Sequence, residues 1–543
     1  MIENFSIFPH IAKMHETAAV LKEFEIKPAR VGRPRADPYN RLLSRLYEAL
    51  VFLLLLGQSR GEHTSRTFYL DESTVTRRRF LQNLAYMCDF EKGGKTCTAI
   101  GLQECETCYR LWLASNEENG QTKEFLQKVL LSLQKISEDP EVEEATDKIG
   151  ALSELCIDFA ARRIGKERKC LLRAVRQCMK ELSNQGAEEG NSIFYSPFYL
   201  PSTNSASARD LETWLSLFLT EQSNLQLCIS AYDTRHSVFA KELQLWSART
   251  QQRAGLKERY DSFASVRHFL GRLAHHFRAT KQLCEDATHM RYMLLSYEVC
   301  NINSIYCRAR PPRDQHTNLD GILNRMLGKN HDKRLEIERG LHHLDSIKGI
   351  FSQFVNDYDR LDPLVHAEVQ VLEHFHNNQL VFARGDRFIA CSKPACICCE
   401  MYFRYHPARV SIPESHRKVW INWGPPLIHN YSKSSPAAIG QRDILNRMIR
   451  EISELIASQV LGQAPASHWH PDSKTGISDF PDLRLWTDLR KHQPRTGSSL
   501  PVGSFAEQSE SSIKLECQRY SPMYEPLRLS DDELDVEDGG VKL

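Results

Sequence analysis

Residues 361–407 decide the fold, and they read LDPLVHAEVQVLEHFHNNQLVFARGDRFIACSKPACICCEMYFRYHP. A His-Ala-Glu triplet at residues 366–368 opens a segment whose apolar residues have helical spacing. A short β-like run follows at residues 387–392, and after it comes a Cys-x-x-Cys pair, Cys396 and Cys399. The stretch therefore predicts a helix, a strand and a second helix, with metal-ligand residue types where each helix begins.

The spacing of these residues suits a catalytic metal site. Cys396 and Cys399 are three positions apart, so the first turn of a helix places both thiolates on one face. Pro394 fits the start of that helix, whose amino end favours negative sulfur. Zinc in catalytic sites takes three protein ligands and leaves the fourth position to water. We therefore predict that His366, Cys396 and Cys399 bind the metal and that Glu368 lies beside the water as the catalytic carboxylate.

The intervening residues also fit this arrangement. Thirty positions separate His366 from Cys396, which is room for one helix, a turn and the strand at 387–392. Both helix starts then reach the same edge of a sheet. Two further thiols leave the ligand set open, since Cys398 or Cys391 could take the fourth position and close the site. A residue two positions along a helix points about 200° away, which disfavours Cys398, and Cys391 is expected to pack within the strand.

Other residues of these types have simpler interpretations. Cys105 and Cys108 fall in the turn of a predicted hairpin, where they form either a zinc knuckle or, more simply, two incidental thiols. His374 and His376 follow on the first helix as surface or packing residues. The Gly-Arg-Pro-Arg peptide at residues 32–35 is similar to the core of an AT-hook, although a plain Pro/Arg linker is the simpler interpretation.

The composition of the chain narrows its class. Of 543 residues, 41% are hydrophobic and 26% are charged, which predicts a mostly globular protein. The formal net charge of +1 gives no overall basic footprint for nucleic acid. The apolar run at residues 49–56 is shorter than the roughly 20 residues of a membrane span, so we expect no membrane partner. Sixteen cysteines without a secretory signal pattern favour a reducing compartment, and we expect an intracellular protein, cytoplasmic or nuclear.

Apolar periodicity and Pro/Gly punctuation divide the chain into five regions. They are a helical N-terminal region (1–73), a helix and hairpin that open a small α/β unit (74–119), a long helical region (120–358), a region with the metal motif (359–462), and a C-terminal tail expected to be largely disordered (463–543). Within the α/β unit, a helix at residues 74–90 is N-capped by Ser73 and precedes strands at 95–103 and 108–115. Residues 409–426 look β-like at both ends.

The opening stretch resembles the zinc-dependent cytidine-deaminase-like superfamily of nucleic acid and nucleotide deaminases, with its His-Ala-Glu and Pro-Cys-x-x-Cys motifs. More narrowly, it is similar to a branch of deaminase-like proteins known mostly from fungi and a few intracellular bacteria. That branch has Ser-Lys-Pro-x-Cys-x-x-Cys, here residues 392–399, and a later Trp-x-x-Pro, here 423–426 after Ser-His-Arg-Lys at 415–418. One departure is Ala395, because the superfamily's proline usually adjoins the first cysteine.

The resemblance implies a fold of the α/β (mixed α+β) class. It would have a cytidine-deaminase-like three-layer core, split in sequence, with a large all-helical insertion and a helical N-terminal region. The hairpin at residues 95–116 would then share a sheet with the strand at 387–392.

The implied activity is zinc-dependent hydrolytic deamination of a nucleobase, of cytosine or adenine type, in a nucleotide or single-stranded nucleic acid. Zn2+ is the implied cofactor and Glu368 the catalytic residue. Asn116 is the candidate contact for the substrate sugar, and Trp423 and His416 are further substrate-binding candidates. Two alternatives remain, namely a catalytically inactive, zinc-stabilised binding or scaffold protein, and a helical scaffold whose histidine and cysteines bind nothing. Neither the base nor the oligomeric state follows from the sequence.

Overall fold

The computed structural model describes residues 37–56, 70–117, 120–138, 142–189, 208–254, 261–328, 331–429 and 431–462. The AT-hook-like peptide at 32–35 and the C-terminal tail lie outside the described residues. Among those described, no helix combines the length and apolarity needed to cross a membrane.

Four strands form one mixed sheet in the order β3-β2-β1-β4. They are β1 (Thr98–Glu104), β2 (Tyr109–Ser115), β3 (Tyr297–Asn301) and β4 (Ile389–Cys391). Strand β1 pairs antiparallel with both β2 and β4, and β2 pairs in parallel with β3. Ala99 lies opposite Cys391, so the predicted pairing of the hairpin with the strand before the Cys-x-x-Cys motif is confirmed.

The described residues also form sixteen helices. They are α1 (Pro38–Leu55), α2 (Glu72–Cys88), α3 (Gly120–Glu138), α4 (Val142–Phe159), α5 (Ala161–Glu189), α6 (Ala208–Ser216), α7 (Asn224–Thr234), α8 (Val238–Ala254), α9 (Ser262–Ala287), α10 (Arg291–Leu294), α11 (Leu319–Met326), α12 (Arg334–Lys348), α13 (Ile350–Asp359), α14 (Ala367–Asn377), α15 (Ile397–Tyr405) and α16 (Pro436–Val460). Short 3-10 turns occupy Leu217–Leu219 and Ala383–Gly385.

Alternation along the strands sends side chains to two different cores. Ile100 and Leu111 pack in a cluster with residues of α2, α3 and α9. Ala99 and Ala114 face the other way, into a cluster with α1, α14, α15 and α16. The sheet therefore lies between two layers of helices, and the predicted mixed α/β fold is confirmed.

Gly101 sets how closely α14 lies against the sheet. A Cβ at this position would be 2.5 Å from Cε2 of Phe375 and 2.7 Å from Cγ1 of Val371, both of which are on α14. A glycine is needed in the strand because any side chain would occupy the space of these two. Since α14 begins directly after His366, this close contact also fixes the position of the metal motif.

We predicted that the segment at residues 120–358 is all helical. Its described residues are mostly helical, but they also include a strand. Strand β3 lies within it and forms the edge of the sheet beside β2. Helix α9 belongs to two cores, because Phe263 and Phe269 pack in a helical bundle while Ala279 and Leu283 pack with residues of the sheet. The segment therefore contributes to both the sheet and one of its covering layers.

Two local predictions are also wrong. Helix α2 is capped by Asp71, whose carboxylate accepts the Thr74 amide at 2.9 Å, while the Ser73 hydroxyl only donates to that carboxylate. Residues 409–426 form no strand, although single bridges join Ser415 to Ala395 and Trp423 to Leu364. Prolines within this segment lack the amide hydrogens that a continuous ladder requires.

Candidate metal centre

Three predicted ligands converge at one point between α14 and α15. His366 is the N-cap of α14, and its Nδ1 lies 3.7 Å from Sγ of Cys396 and 3.4 Å from Sγ of Cys399. Cys396 is the N-cap of α15, and its sulfur accepts the backbone amide of Cys399 at 3.5 Å. All three ligand atoms lie within 4.8 Å of one another. The group could therefore hold a metal ion.

The donor set and its dimensions fit zinc. Bonds of about 2.3 Å to sulfur and about 2.05 Å to nitrogen, at tetrahedral angles, place a nitrogen and a sulfur about 3.6 Å apart. The two nitrogen–sulfur distances here, 3.7 Å and 3.4 Å, lie on either side of that value. Two thiolates and one imidazole from His366, Cys396 and Cys399 are a common set for this ion, and three protein ligands leave a fourth position open.

The electrostatics of the cluster favour a thiolate at Cys396 and a thiol at Cys399, whose pKa is raised well above its ordinary value by burial and by the Cys396 thiolate. Burial would raise the pKa of Cys396, but hydrogen bonds from Cys398 and Cys399 and the nearby His366 outweigh it and lower the pKa well below its ordinary value. Burial would likewise lower the pKa of His366, but the Cys396 thiolate raises it to about 9. A metal that binds here therefore meets one thiolate, at Cys396, and displaces protons from the Cys399 thiol and the His366 imidazole.

Glu368 lies in the first turn of α14 and is only 4% exposed. Its Oε2 is 3.9 Å from Sγ of Cys391, and that sulfur is in turn 3.8 Å from Sγ of Cys97. Burial raises the pKa of Glu368, and the nearby His366 opposes this rise in part. A buried carboxylate with a raised pKa, next to a metal-ligand cluster, is suited to proton transfer near neutral pH.

The additional thiols lie outside this group of ligand atoms. Among the described residues, the ligand atoms grouped at this point come from His366, Cys396 and Cys399, without Cys398 or Cys391. Cys398 is buried in α15. Cys391 packs in β4, as expected, with its Sγ 3.9 Å from Oε2 of Glu368.

Asn116 joins the hairpin to the start of α14. Its Oδ1 accepts the backbone amide of Ala367 at 2.7 Å, and its Nδ2 donates to the carbonyl of Gly94 at 2.8 Å. The structure therefore places Asn116 next to His366, and both the oxygen and the nitrogen of its carboxamide are hydrogen-bonded to backbone groups. A contact between Asn116 and a substrate sugar stays a prediction.

The extra residue in the cysteine motif, Ala395, is held by the segment that follows α15. Its amide donates to the carbonyl of Glu414 at 2.7 Å, and its carbonyl accepts the amide of His416 at 3.0 Å and the hydroxyl of Ser415 at 2.9 Å. His416 is 3% exposed, and its Nδ1 accepts the amide of Lys418 at 3.0 Å. The Ser-His-Arg-Lys motif thus supports the turn that leads into Cys396, and a substrate contact by His416 stays a prediction.

Trp423 is part of the core. It is fully buried, and its ring lies 5.7 Å from that of Tyr402. The backbone around it pairs with Leu364, because the amide of Gly424 donates to the Leu364 carbonyl at 2.8 Å. Trp423 therefore supports the segment that leads into His366, and a substrate contact by its buried ring stays a prediction.

The remaining histidines and cysteines serve other purposes. His374 packs on Trp112 with ring centroids 4.2 Å apart, and His376 packs on His406 at 4.8 Å. Cys105 and Cys108 close the hairpin turn, and no third metal-ligating group joins them in the part of the chain that the structure describes.

The sequence interpretation missed one charged contact at this site. Lys393, quoted above only as part of a motif, has its Nζ 3.2 Å from a carboxylate oxygen of Asp89. No local pattern could have revealed this pair, since its two residues are about three hundred positions apart in the chain.

Comparisons with known proteins agree with this geometry. Residues 365–427 match the family described as OTT_1508-like deaminase. No curated protein and no solved structure matches the chain. The matched residues include His366, Glu368, Cys396 and Cys399, together with the segment that holds Ala395. This part of the chain is therefore deaminase-like.

Proposed function

We propose that the chain is a zinc-dependent hydrolytic deaminase that acts on a nucleobase, of cytosine or adenine type, in a nucleotide or single-stranded nucleic acid. One observation carries the proposal, namely that His366, Cys396 and Cys399 converge with spacings suited to zinc. Glu368 lies in the first turn of the helix that His366 caps, and it stays outside the group. A His/Cys/Cys set beside a non-ligating glutamate is the arrangement that base deaminases use.

The metal and the glutamate would have separate tasks. Zinc, when bound, lowers the pKa of a water molecule toward about 7 and so supplies a nucleophile at neutral pH. Glu368 accepts the proton that this water loses, at a carboxylate oxygen, and delivers it to the ring nitrogen next to the amine-bearing carbon. It then passes the second proton of the water to the departing amine, which leaves as ammonia while the carbon gains a carbonyl oxygen.

The surroundings of Glu368 suit this exchange. The side chain is buried against Cys391, which excludes bulk water from one side of the carboxylate. Because burial raises its pKa, the proton that it accepts is held long enough to be delivered to the substrate. A carboxylate in open solvent would release that proton to water instead.

The second candidate function is a zinc-stabilised binding or scaffold protein without turnover. Its support is the helical segment at 120–358, part of which packs into a bundle of its own. Glu368 argues against it, because a purely structural zinc site is closed by four protein ligands and needs no acid beside it.

A deamination screen with a matched variant tests the proposal. Wild-type protein and Glu368→Gln are incubated with nucleosides, nucleotides and single-stranded DNA and RNA, while ammonia release and product mass are measured. We expect about one zinc per chain in both proteins and turnover of at least one substrate in wild type alone. If both proteins held zinc and neither converted any substrate, the scaffold function would replace the enzyme. If wild type held far less than one zinc per chain, both zinc-dependent functions would be wrong.

A further inference from the structure

Asp89, directly after α2, is a fully buried charge close to the metal centre. Its carboxylate accepts the hydroxyl of Thr96 at 2.7 Å. Two cations also approach the carboxylate, Lys393 with its Nζ at 3.2 Å and Arg163 with its Nη1 at 3.5 Å. Arg163 Nη1 also donates to the backbone carbonyl of Asp89 at 2.9 Å. A carboxylate buried this deeply persists as a charge only when it is paired in this way.

The loop that follows Asp89 contacts both ligand-bearing segments. Lys393 Nζ donates to the carbonyl of Gly93, and Lys393 stands three positions before Cys396. The next carbonyl, that of Gly94, accepts a hydrogen bond from Nδ2 of Asn116. Oδ1 of the same side chain accepts the backbone amide of Ala367, the residue after His366. The loop at residues 89–94 therefore connects the cysteine side of the centre to its histidine side.

Helix α5 of the helical segment contacts this loop through Arg163. Arg163 on α5 is 2% exposed, and its backbone amide donates to the carbonyl of Phe90 at 3.2 Å. Its guanidinium also contacts Glu167 at 3.3 Å, and Glu167 pairs with Arg272 of α9 at 2.8 Å. A continuous chain of buried charges thus runs from the helical bundle to the turn before Cys396. Removal of one member leaves its partners buried without compensation.

We propose that Lys393 and Asp89 are positioning residues of the metal centre, whose buried ion pair fixes the turn that leads into Cys396 and is itself held by Arg163 of the helical segment. This inference rests on the proposed function in one respect, namely that the centre binds zinc. It gives residues 120–358 a role in the site, since Arg163 and Glu167 belong to them.

The test measures metal retention in full-length protein. Lys393→Met removes the charge, Lys393→Arg keeps it, and Asp89→Asn keeps the shape of the carboxylate without its charge. The matched control is Lys95→Met, which removes a lysine of the same region whose ion pair with Glu117, at 3.3 Å, is exposed. The readouts are the rate of zinc release to a colorimetric chelator, the absorption spectrum of the cobalt-substituted centre, and the melting temperature of the metal-free protein.

We expect Lys393→Met and Asp89→Asn to release zinc about 10- to 100-fold faster than wild type, the range typical for lost support of metal ligands. Their cobalt spectra should shift, Lys393→Arg should restore most of the retention, and Lys95→Met should match wild type. The double variant should release zinc no faster than the worse single variant, because both residues belong to one pair.

Three results would overturn the inference. The first is zinc release and a cobalt spectrum in Lys393→Met that equal those of wild type. The second is strictly additive effects in the double variant. The third is zinc release by Lys393→Met and Asp89→Asn that equals that of wild type when each protein is assayed at the same interval below the melting temperature of its metal-free form, which would make the pair a general element of stability. Failure of wild type itself to bind cobalt or zinc would instead contradict the proposed function.

Discussion

Replacement of Gly101 by alanine tests whether the contact between sheet and α14 controls the metal centre. The new Cβ would lie 2.5 Å from Cε2 of Phe375 and 2.7 Å from Cγ1 of Val371. Carbon atoms pack best at about 3.5–4.0 Å, so α14 or its side chains must move by about 1 Å. Phe375 cannot simply rotate away, because it is 2% exposed and stacked on Phe382 at 4.2 Å. Overpacking of this kind costs about 1–3 kcal/mol in the free energy of unfolding.

The same displacement should weaken metal binding, because His366 and Glu368 lie at the start of the helix that moves. We expect Gly101→Ala to lower the urea midpoint of the metal-free protein and to speed zinc release to a chelator. The control is Gly165→Ala on α5, where an added Cβ meets nothing within 4 Å and should stabilise the helix by about 0.5–1 kcal/mol. If Gly101→Ala kept the urea midpoint and zinc retention of wild type, the close packing of α14 would not be what positions the site.

Three further substitutions separate the roles of buried side chains. Burial would raise the pKa of Glu167, but Arg272 and its other cationic neighbours outweigh it and lower that pKa well below its ordinary value. The ionised carboxylate therefore stabilises the fold above about pH 4.5, the unfolded pKa, and this stability is lost as pH falls toward the folded pKa. Glu167→Gln should be less stable than wild type at pH 7 and lose less stability between pH 5 and 3, as urea midpoints will show. Cys398→Ser should keep about one zinc per chain while Cys399→Ser keeps far less, and equal zinc content in the two would refute the ligand set. Trp423→Ala should cost about 3–5 kcal/mol of unfolding free energy by leaving a cavity, and a urea midpoint equal to that of wild type would show that the ring is not packed as described.

The parts of the site that could be predicted from sequence are those with local causes. Cys396 and Cys399 share a helix turn, and His366 and Glu368 open the preceding helix, so spacing alone brings them to two helix starts. The pairing of the 95–116 hairpin with β4 has no local cause; it was implied by the family resemblance, and the structure shows it.

Strand β3 shows where local reasoning stops. It has five residues, and its partner in β2 lies almost two hundred positions earlier in the chain. Only Val299 of the strand is buried, so the period-2 pattern of a half-buried strand is hardly visible in its sequence. The sequence interpretation therefore left it within the helical region at 120–358. Pairing with β2, a tertiary contact, decides its conformation.

The substrate-binding candidates show a different limit. Trp423 and His416 stand in motifs, and a motif does not distinguish a residue that touches substrate from one that supports the site. The structure gives both a supporting place, Trp423 in the core before His366 and His416 against Ala395. Burial depends on the whole fold and cannot be seen in a motif, and a substrate contact by either residue stays a prediction.

The matched segment at residues 365–427 cannot be a complete structural unit. Its single strand, β4, pairs with β1, which lies outside the match. The amide of Ala367 donates a hydrogen bond to Asn116, and Lys393 forms an ion pair with Asp89. Both ends of the metal motif are therefore held by residues far away in sequence. A zinc site requires ligands held in tetrahedral geometry, and the contacts of Ala367 and Lys393 come from residues 89–116, which Arg163 of the helical segment holds in turn. The ligands are thus local in sequence, while the rigidity that would make them a catalytic centre is a property of the whole described fold.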